Sequence, residues 1–250
     1  MLEVDADVID RAVANCASVY RAWAERMGKR SQLWDDLSCA DVGLPVALPP
    51  NIAVVLREPT QDDASTLVRR AADFFAAGSG GPYGVWSLWP IDGLPPTPLD
   101  IWNIPIMVRD QDGHAPAVPD ELEIVEASDA ATVREAATLI DESFEAHSEP
   151  DGVLTPACLG DDFRVWVGRV DGRAVTTAMA YIGEGFVGLY GVATTPDARG
   201  RGYGEAITWV ATLCRPDLPA TLQASPLGRP IYERMGYRTI AEFTVWDLDR

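Results

Sequence analysis

The chain has 250 residues, 47% of them hydrophobic, and a formal charge of −18. A chain of this length buries a substantial core in one large domain or two modest ones, and its acidity argues against nucleic acid as a partner. No apolar run approaches the roughly 20 residues of a membrane helix. The N-terminus, with Glu3, Asp5, Asp7 and Asp10, is too acidic for a signal peptide, so the expected address is the cytoplasm.

In chain order, residues 7–26 read as a helix, because Val8, Ala12, Cys16, Val19 and Trp23 recur at helical spacing. Prolines 45, 49 and 50 break the chain before a short apolar strand at 52–56, and a second helix follows over 62–77. A glycine-rich loop at 77–82 leads to strands at 83–89 and 104–109, separated by the proline-rich stretch 94–98. Tryptophans 86, 89 and 102 are expected in the core of this first half. Residues 110–119, DQDGHAPAVP, hold turn formers without an apolar period and read as a linker between residues 1–115 and 121–250.

Beyond it, a strand at 122–125 precedes a helix carrying Val133, Ala137, Ile140 and Phe144 on one face. Residues 163–170 and 173–181 flank Asp171-Gly172, a pair suited to a tight hairpin turn. Another strand covers 185–193, a helix 204–214, a strand 220–224 and a short helix 227–235, with two last strands around Thr239 and Val245. DASTLVRRA from Asp63 echoes DAATVREA from Asp129, which suggests an old duplication; any strand followed by an acidic cap and an amphipathic helix also looks this way.

Cys16, Cys39, Cys158 and Cys214 have no CxxC spacing and read as small buried thiols. With His114 and His147 the only histidines, no metal site is expected.

The segment with most chemical content is 189–214, LYGVATTPDARGRGYGEAITWVATLC: an apolar strand, a proline turn, a glycine-alternating loop and an amphipathic helix. Gly200, Gly202 and Gly204 let backbone N–H groups approach an anion at a helix start, where the helix dipole adds to the field. Arg199 and Arg201 supply positive charge, and a diphosphate is the natural ligand. The loop lacks GK[ST], and Glu205 occupies the last position of a GxGxxG fingerprint, so nucleoside triphosphates and NAD lose ground.

Arg199-Gly200-Arg201-Gly202-Tyr203-Gly204 fits (Q/R)xxGx(G/A), and on this motif the sequence resembles the GNAT superfamily of N-acetyltransferases. The stretch 225–240, SPLGRPIYERMGYRTI, resembles that family's closing Y-x-x-x-G-(F/Y) pattern through Tyr232 and Gly236-Tyr237. The resemblance covers residues 121–250. It implies an α+β fold, a mixed and mostly antiparallel sheet flanked by helices, preceded here by a second, smaller α/β domain that reads as a degenerate copy. It also implies acetyl-CoA as cosubstrate, held by residues 199–204 and by the backbone of Val192, Ala193 and Thr194, with direct transfer to an amine acceptor.

Tyr232 is the expected general acid, because a phenol beside the sulfur can protonate the leaving thiolate. The strand glutamate that family members often use as base is missing from residues 186–190, which makes Glu184 the nearest candidate; Glu142, Glu145 and His147 could relay a proton through water. Residues 120–151 hold eleven acids against Arg134 alone. That balance fits a cationic small-molecule or peptide acceptor, such as a polyamine, an aminoglycoside or a peptide N-terminus, or else an ordinary solvated helix face. A non-enzymatic acyl-CoA sensor or interaction module is the alternative to an enzyme.

Overall fold

A computed structural model describes residues 2–44, 51–91, 94, 101–111, 115–144 and 153–248, with the backbone alone at 61, 62, 101 and 102. His114, Glu145, His147, the side chain of Trp102 and nearly all of the proline-rich stretch 94–98 therefore lie outside it. Eleven strands form one mixed sheet: β1 (Arg30–Leu33), β2 (Leu37–Asp41), β3 (Ile52–Val55), β4 (Tyr83–Ser87), β5 (Ile101–Arg109), β6 (Glu123–Glu126), β7 (Phe163–Val170), β8 (Arg173–Gly183), β9 (Phe186–Thr194), β10 (Ala220–Gln223) and β11 (Arg238–Leu248). Their spatial order is β1-β2-β3-β4-β11-β5-β10-β9-β8-β7-β6.

Two parallel pairs sit at mirrored places in this order. Helix α2 (Gln61–Ala76) crosses from β3 to β4, and α4 (Tyr203–Thr212) crosses from β9 to β10. The closing strands are exchanged: β5, from the first half of the chain, pairs with β10 and β11, while β11, from the second half, pairs with β4 and β5. The sheet therefore runs unbroken across the expected boundary, and the smaller separate domain expected over 1–115 is not seen as an independent layer. The physical reason is that β5 satisfies both of its edges with strands from beyond the linker, a non-local pairing that no local pattern signals.

Helices α1 (Ala6–Arg26) and α3 (Ala130–Phe144) cover one face and share a core with both halves, including Val54, Trp86, Val165 and Tyr190. Helices α4 and α5 (Arg229–Arg234) cover the other face over β9 and β10, and α2 covers the same face over β2, β3 and β4. The start of α1 follows its chemistry, with Asp5 accepting the Val8 N–H at 3.0 Å.

The structure adds to the sequence reading in three places. The hairpin β1–β2 was invisible because RSQL and LSCAD carry no β-branched residues; β2 is buried along its whole length between α1 and α2, a tertiary gain that overrides weak propensity. The two last strands are one, β11, with a register irregularity between Thr239 and Ala241. The echoed segments fall in α2 and at the start of α3, helices with different places in the topology, since α2 corresponds to α4. No helix among the described residues is long and apolar enough to cross a membrane.

Candidate active site

The parallel pairing of β9 with β10 spans only Val187–Leu189 against Ala220–Leu222. Beyond Leu189, β9 leaves β10. Its register with β8 also shifts, since Tyr190 opposes Met179 and Ala193 opposes Thr177, leaving Gly191 and Val192 opposite one residue. Gly191 has φ 55°, a conformation that a side chain disfavours, so glycine at this place permits the bulge. A bulge frees backbone groups from the ladder, which is what an oxyanion site on a strand needs.

A cavity of about 590 Å³ opens at this split. Leu189, Tyr190, Gly191 and Val192 line it from β9, and Leu222 and Gln223 from β10. On one face of the sheet it reaches Tyr20 and Trp23 of α1 and Ile140 of α3; on the other it reaches Tyr232 of α5. It therefore connects the two faces of the sheet through the gap between β9 and β10. Trp86 of β4 and Ile104 of β5 complete its wall from the first half of the chain.

The glycine loop continues from the same strand. A single 3-10 turn, Pro196–Ala198, leads from Thr194 to Arg199, whose Nε donates to the Thr194 carbonyl at 3.0 Å. Gly200 (φ 76°) and Gly202 (φ 83°) are left-handed, and Gly202 caps α4 without a side chain. Gly204 lies inside the helix, where a Cβ would stand 2.9 Å from Thr194 Oγ1, so its absence lets α4 start against β9. Arg199, Gly200, Arg201 and Gly202 are exposed. Tyr203 is 1% exposed, and its hydroxyl donates to Glu121 at 2.7 Å. Its backbone N–H lies at the start of α4, among the amides that a helix leaves without an internal partner.

Tyr232 lies on α5 with its ring 5.9 Å from that of Tyr237. Its hydroxyl makes no hydrogen bond with another described residue, in contrast to Tyr237, whose hydroxyl is 2.8 Å from Thr212 Oγ1, and Tyr190, which donates to Asn15 Oδ1 at 2.7 Å. Burial raises the Tyr232 phenol from its ordinary 10 to about 12. The folded state thus keeps a proton that the unfolded state begins to lose near pH 10. This contribution, on the order of 2–3 kcal/mol, is intact below pH 10 and disappears as pH rises through 12. Burial also raises Tyr20, Tyr190 and Tyr237. An absorbance titration of tyrosinate is expected to show these phenols ionising together with loss of near-UV circular dichroism above pH 10; ionisation near pH 10 with the fold intact would contradict it.

Glu184 is not brought to the cavity. It occupies the tight turn between β8 and β9 with φ 53°, exposed, and accepts a hydrogen bond from Ser18 Oγ at 3.1 Å. β9 runs from Phe186 and carries the chain from this turn to Tyr190, at most about 20 Å away at a rise of about 3.3 Å per residue. Several acids of the 120–151 stretch are engaged elsewhere: Glu126 pairs with Arg164 at 2.6 Å and Glu135 with Arg169 at 2.8 Å. Asp129 accepts from the Ala131 and Thr132 amides at 2.9 Å and so caps α3, and these bonds hold its carboxyl below the usual range. Glu142 is exposed on α3. Among the described residues, no carboxylate lines the cavity. The aromatic wall from α1 and β4 escaped sequence reading, because core and cavity aromatics share one helical or strand pattern.

No protein-family model and no curated protein matches the sequence. Solved structures do. A GCN5-related N-acetyltransferase from Kribbella flavida is similar over 93% of this chain and 95% of its own, with a TM-score of 0.66 and 20% identity. A GCN5-related N-acetyltransferase-like protein from Streptococcus suis covers 95% and 98% at TM-score 0.55 and 14% identity. A GCN5-related N-acetyltransferase from Sphaerobacter thermophilus covers 94% and 91% at TM-score 0.54 and 14% identity. These likenesses extend across both halves of the chain and show that it has the fold of these proteins.

Proposed function

We propose that the protein transfers an acetyl group from acetyl-CoA to an amine by direct attack. The observation that carries this reading is the continuity of β9: its bulge at Gly191 and Val192 opens onto the cavity, and two residues later Thr194 meets the glycine loop. A diphosphate on the loop amides and the start of α4 would leave the pantetheine arm to run along Val192, Ala193 and Thr194, with the thioester at the split. Tyr232, protonated at neutral pH and facing the split from the other side, is the general acid for the thiolate. The mirrored strand order and exchanged closing strands support reading the first half of the chain as a degenerate copy of the second.

Acetyl-CoA is expected to bind the wild type in calorimetric titration and to lose most of its affinity for Gly202→Asp. That change places a carboxylate where the diphosphate would lie, on a residue whose φ of 83° disfavours any side chain. Equal binding by a folded Gly202→Asp would remove the loop from the site. The lack of a carboxylate in the described cavity wall also favours a second reading, an acyl-CoA sensor without turnover. Release of free thiol on adding amines separates the two.

A further inference from the structure

The cavity has an unusual wall for a site that must receive an amine. Tyr20, Trp23, Trp86 and Tyr190 surround it with Ile104 and Ile140, and no described lining residue is charged. An ammonium entering this wall would lose water for contact with aromatic faces alone, without a counter-charge from the described lining. A lysine-like alkylamine, with a pKa near 10.4, is neutral in only about one molecule in a few thousand at pH 7. An arylamine is different, because its lone pair is delocalised into the ring and it stays neutral at pH 7 while retaining a nucleophilic nitrogen. A flat aromatic body also suits walls made of aromatic rings.

One polar group at the cavity wall lacks a partner. Both amide atoms of Gln223, at the end of β10 beside the split, are buried and make no hydrogen bond with another described residue. A buried donor and acceptor left unpaired is costly, and a neutral N–H ligand with its lone pair can satisfy such an amide.

We infer that the acceptor is a neutral, weakly basic aromatic amine, held between the α1, β4 and β9 aromatics and anchored by the Gln223 amide. This inference rests on the transferase reading above. The nitrogen lone pair forms the new C–N bond, the C–S bond breaks, and the sulfur takes the Tyr232 proton. The nitrogen then loses a proton, by way of solvent, that restores Tyr232. The products are the anilide and free coenzyme A, and an arylamine needs no base to deprotonate it before attack.

The test uses the full-length protein with 4-ethylaniline, its more basic isomer 4-methylbenzylamine, and spermidine. Binding is read by quenching of tryptophan fluorescence without acetyl-CoA, and transfer by thiol release between pH 6 and 9. The arylamine is expected to bind and to be turned over at least about tenfold faster in kcat/KM than the benzylamine at pH 7. Its pH profile should be flat, whereas the benzylamine rate should rise with its free-base fraction, about tenfold per pH unit. Gln223→Leu should raise KM for the arylamine about five- to tenfold, the size of one lost hydrogen bond, without lowering Tm, since it removes an unpaired buried amide.

Preference for spermidine or the benzylamine at pH 7 overturns the inference, as does a rate that follows an ionising group removed in His147→Ala. Absence of arylamine binding combined with faster turnover of octanoyl-CoA than acetyl-CoA also overturns it, making the cavity an acyl chamber. Arylamine binding that weakens in Gln223→Leu, with no thiol release from any amine, supports the ligand class and sinks the transferase reading alone.

Discussion

Tyr232→Phe is expected to lower kcat by about 100-fold or more while leaving the affinity for acetyl-CoA unchanged, because general acid catalysis by a positioned side chain contributes about 10²–10⁴. The substitution removes one oxygen and little else. Since the hydroxyl bonds no described residue, its loss breaks no internal hydrogen bond, and the ring keeps its packing against Tyr237. A reduced rate would then report chemistry and not folding, which an unchanged Tm would confirm. The pH profile adds a second check. With its phenol pushed up to about 12, Tyr232 stays protonated across the neutral range, so the wild type should show no falling limb from this group below about pH 11. Full activity in Tyr232→Phe would require another proton donor for the thiolate.

Removing residues 1–115 is expected to abolish cooperative folding of the remainder. Strand β10 pairs with β5 over Ala220–Gln223, and β11 pairs with β5 and β4 along nearly its whole length. The deletion also removes α1, whose Tyr20 and Trp23 pack against Tyr190 and Phe163 and whose Trp23 Nε1 donates to the Val153 carbonyl at 2.7 Å. Loss of one buried aromatic side chain costs about 3–5 kcal/mol, and a domain holds only about 5–15 kcal/mol in total. Losing α1 and two strand partners together exceeds that reserve. The fragment should aggregate on size exclusion and show no cooperative thermal transition by circular dichroism. A monomeric fragment with native-like near-UV ellipticity would mean that β11 can close directly onto β10, and that the exchanged strands are dispensable.

The glycine loop was legible in the sequence because its physics is local. Arg199 to Gly204 specify left-handed turns and a helix start over six consecutive residues, and Gly200 and Gly202 adopt the conformations that only glycine takes without strain. The Asp171-Gly172 hairpin, the α1 stripe and the strand–helix–strand run from β9 to β10 were legible for the same reason, since periodicity and turn chemistry act between near neighbours. Tyr232 was found through its spacing to Gly236 and Tyr237, but its open hydroxyl was not. Glu184, chosen for nearness in sequence, shows the limit of that reasoning: the β8–β9 hairpin carries it to the end of the strands away from the split. What only the tertiary structure decided is the exchange of β5 and β11 and, with it, the cavity wall. Tyr20, Trp23, Trp86 and Ile104 carry ordinary core patterns, and they line a cavity only because β5 pairs with strands more than 100 residues away. Local propensity sets which elements form; the hydrogen bonds of distant strand edges set which side chains meet.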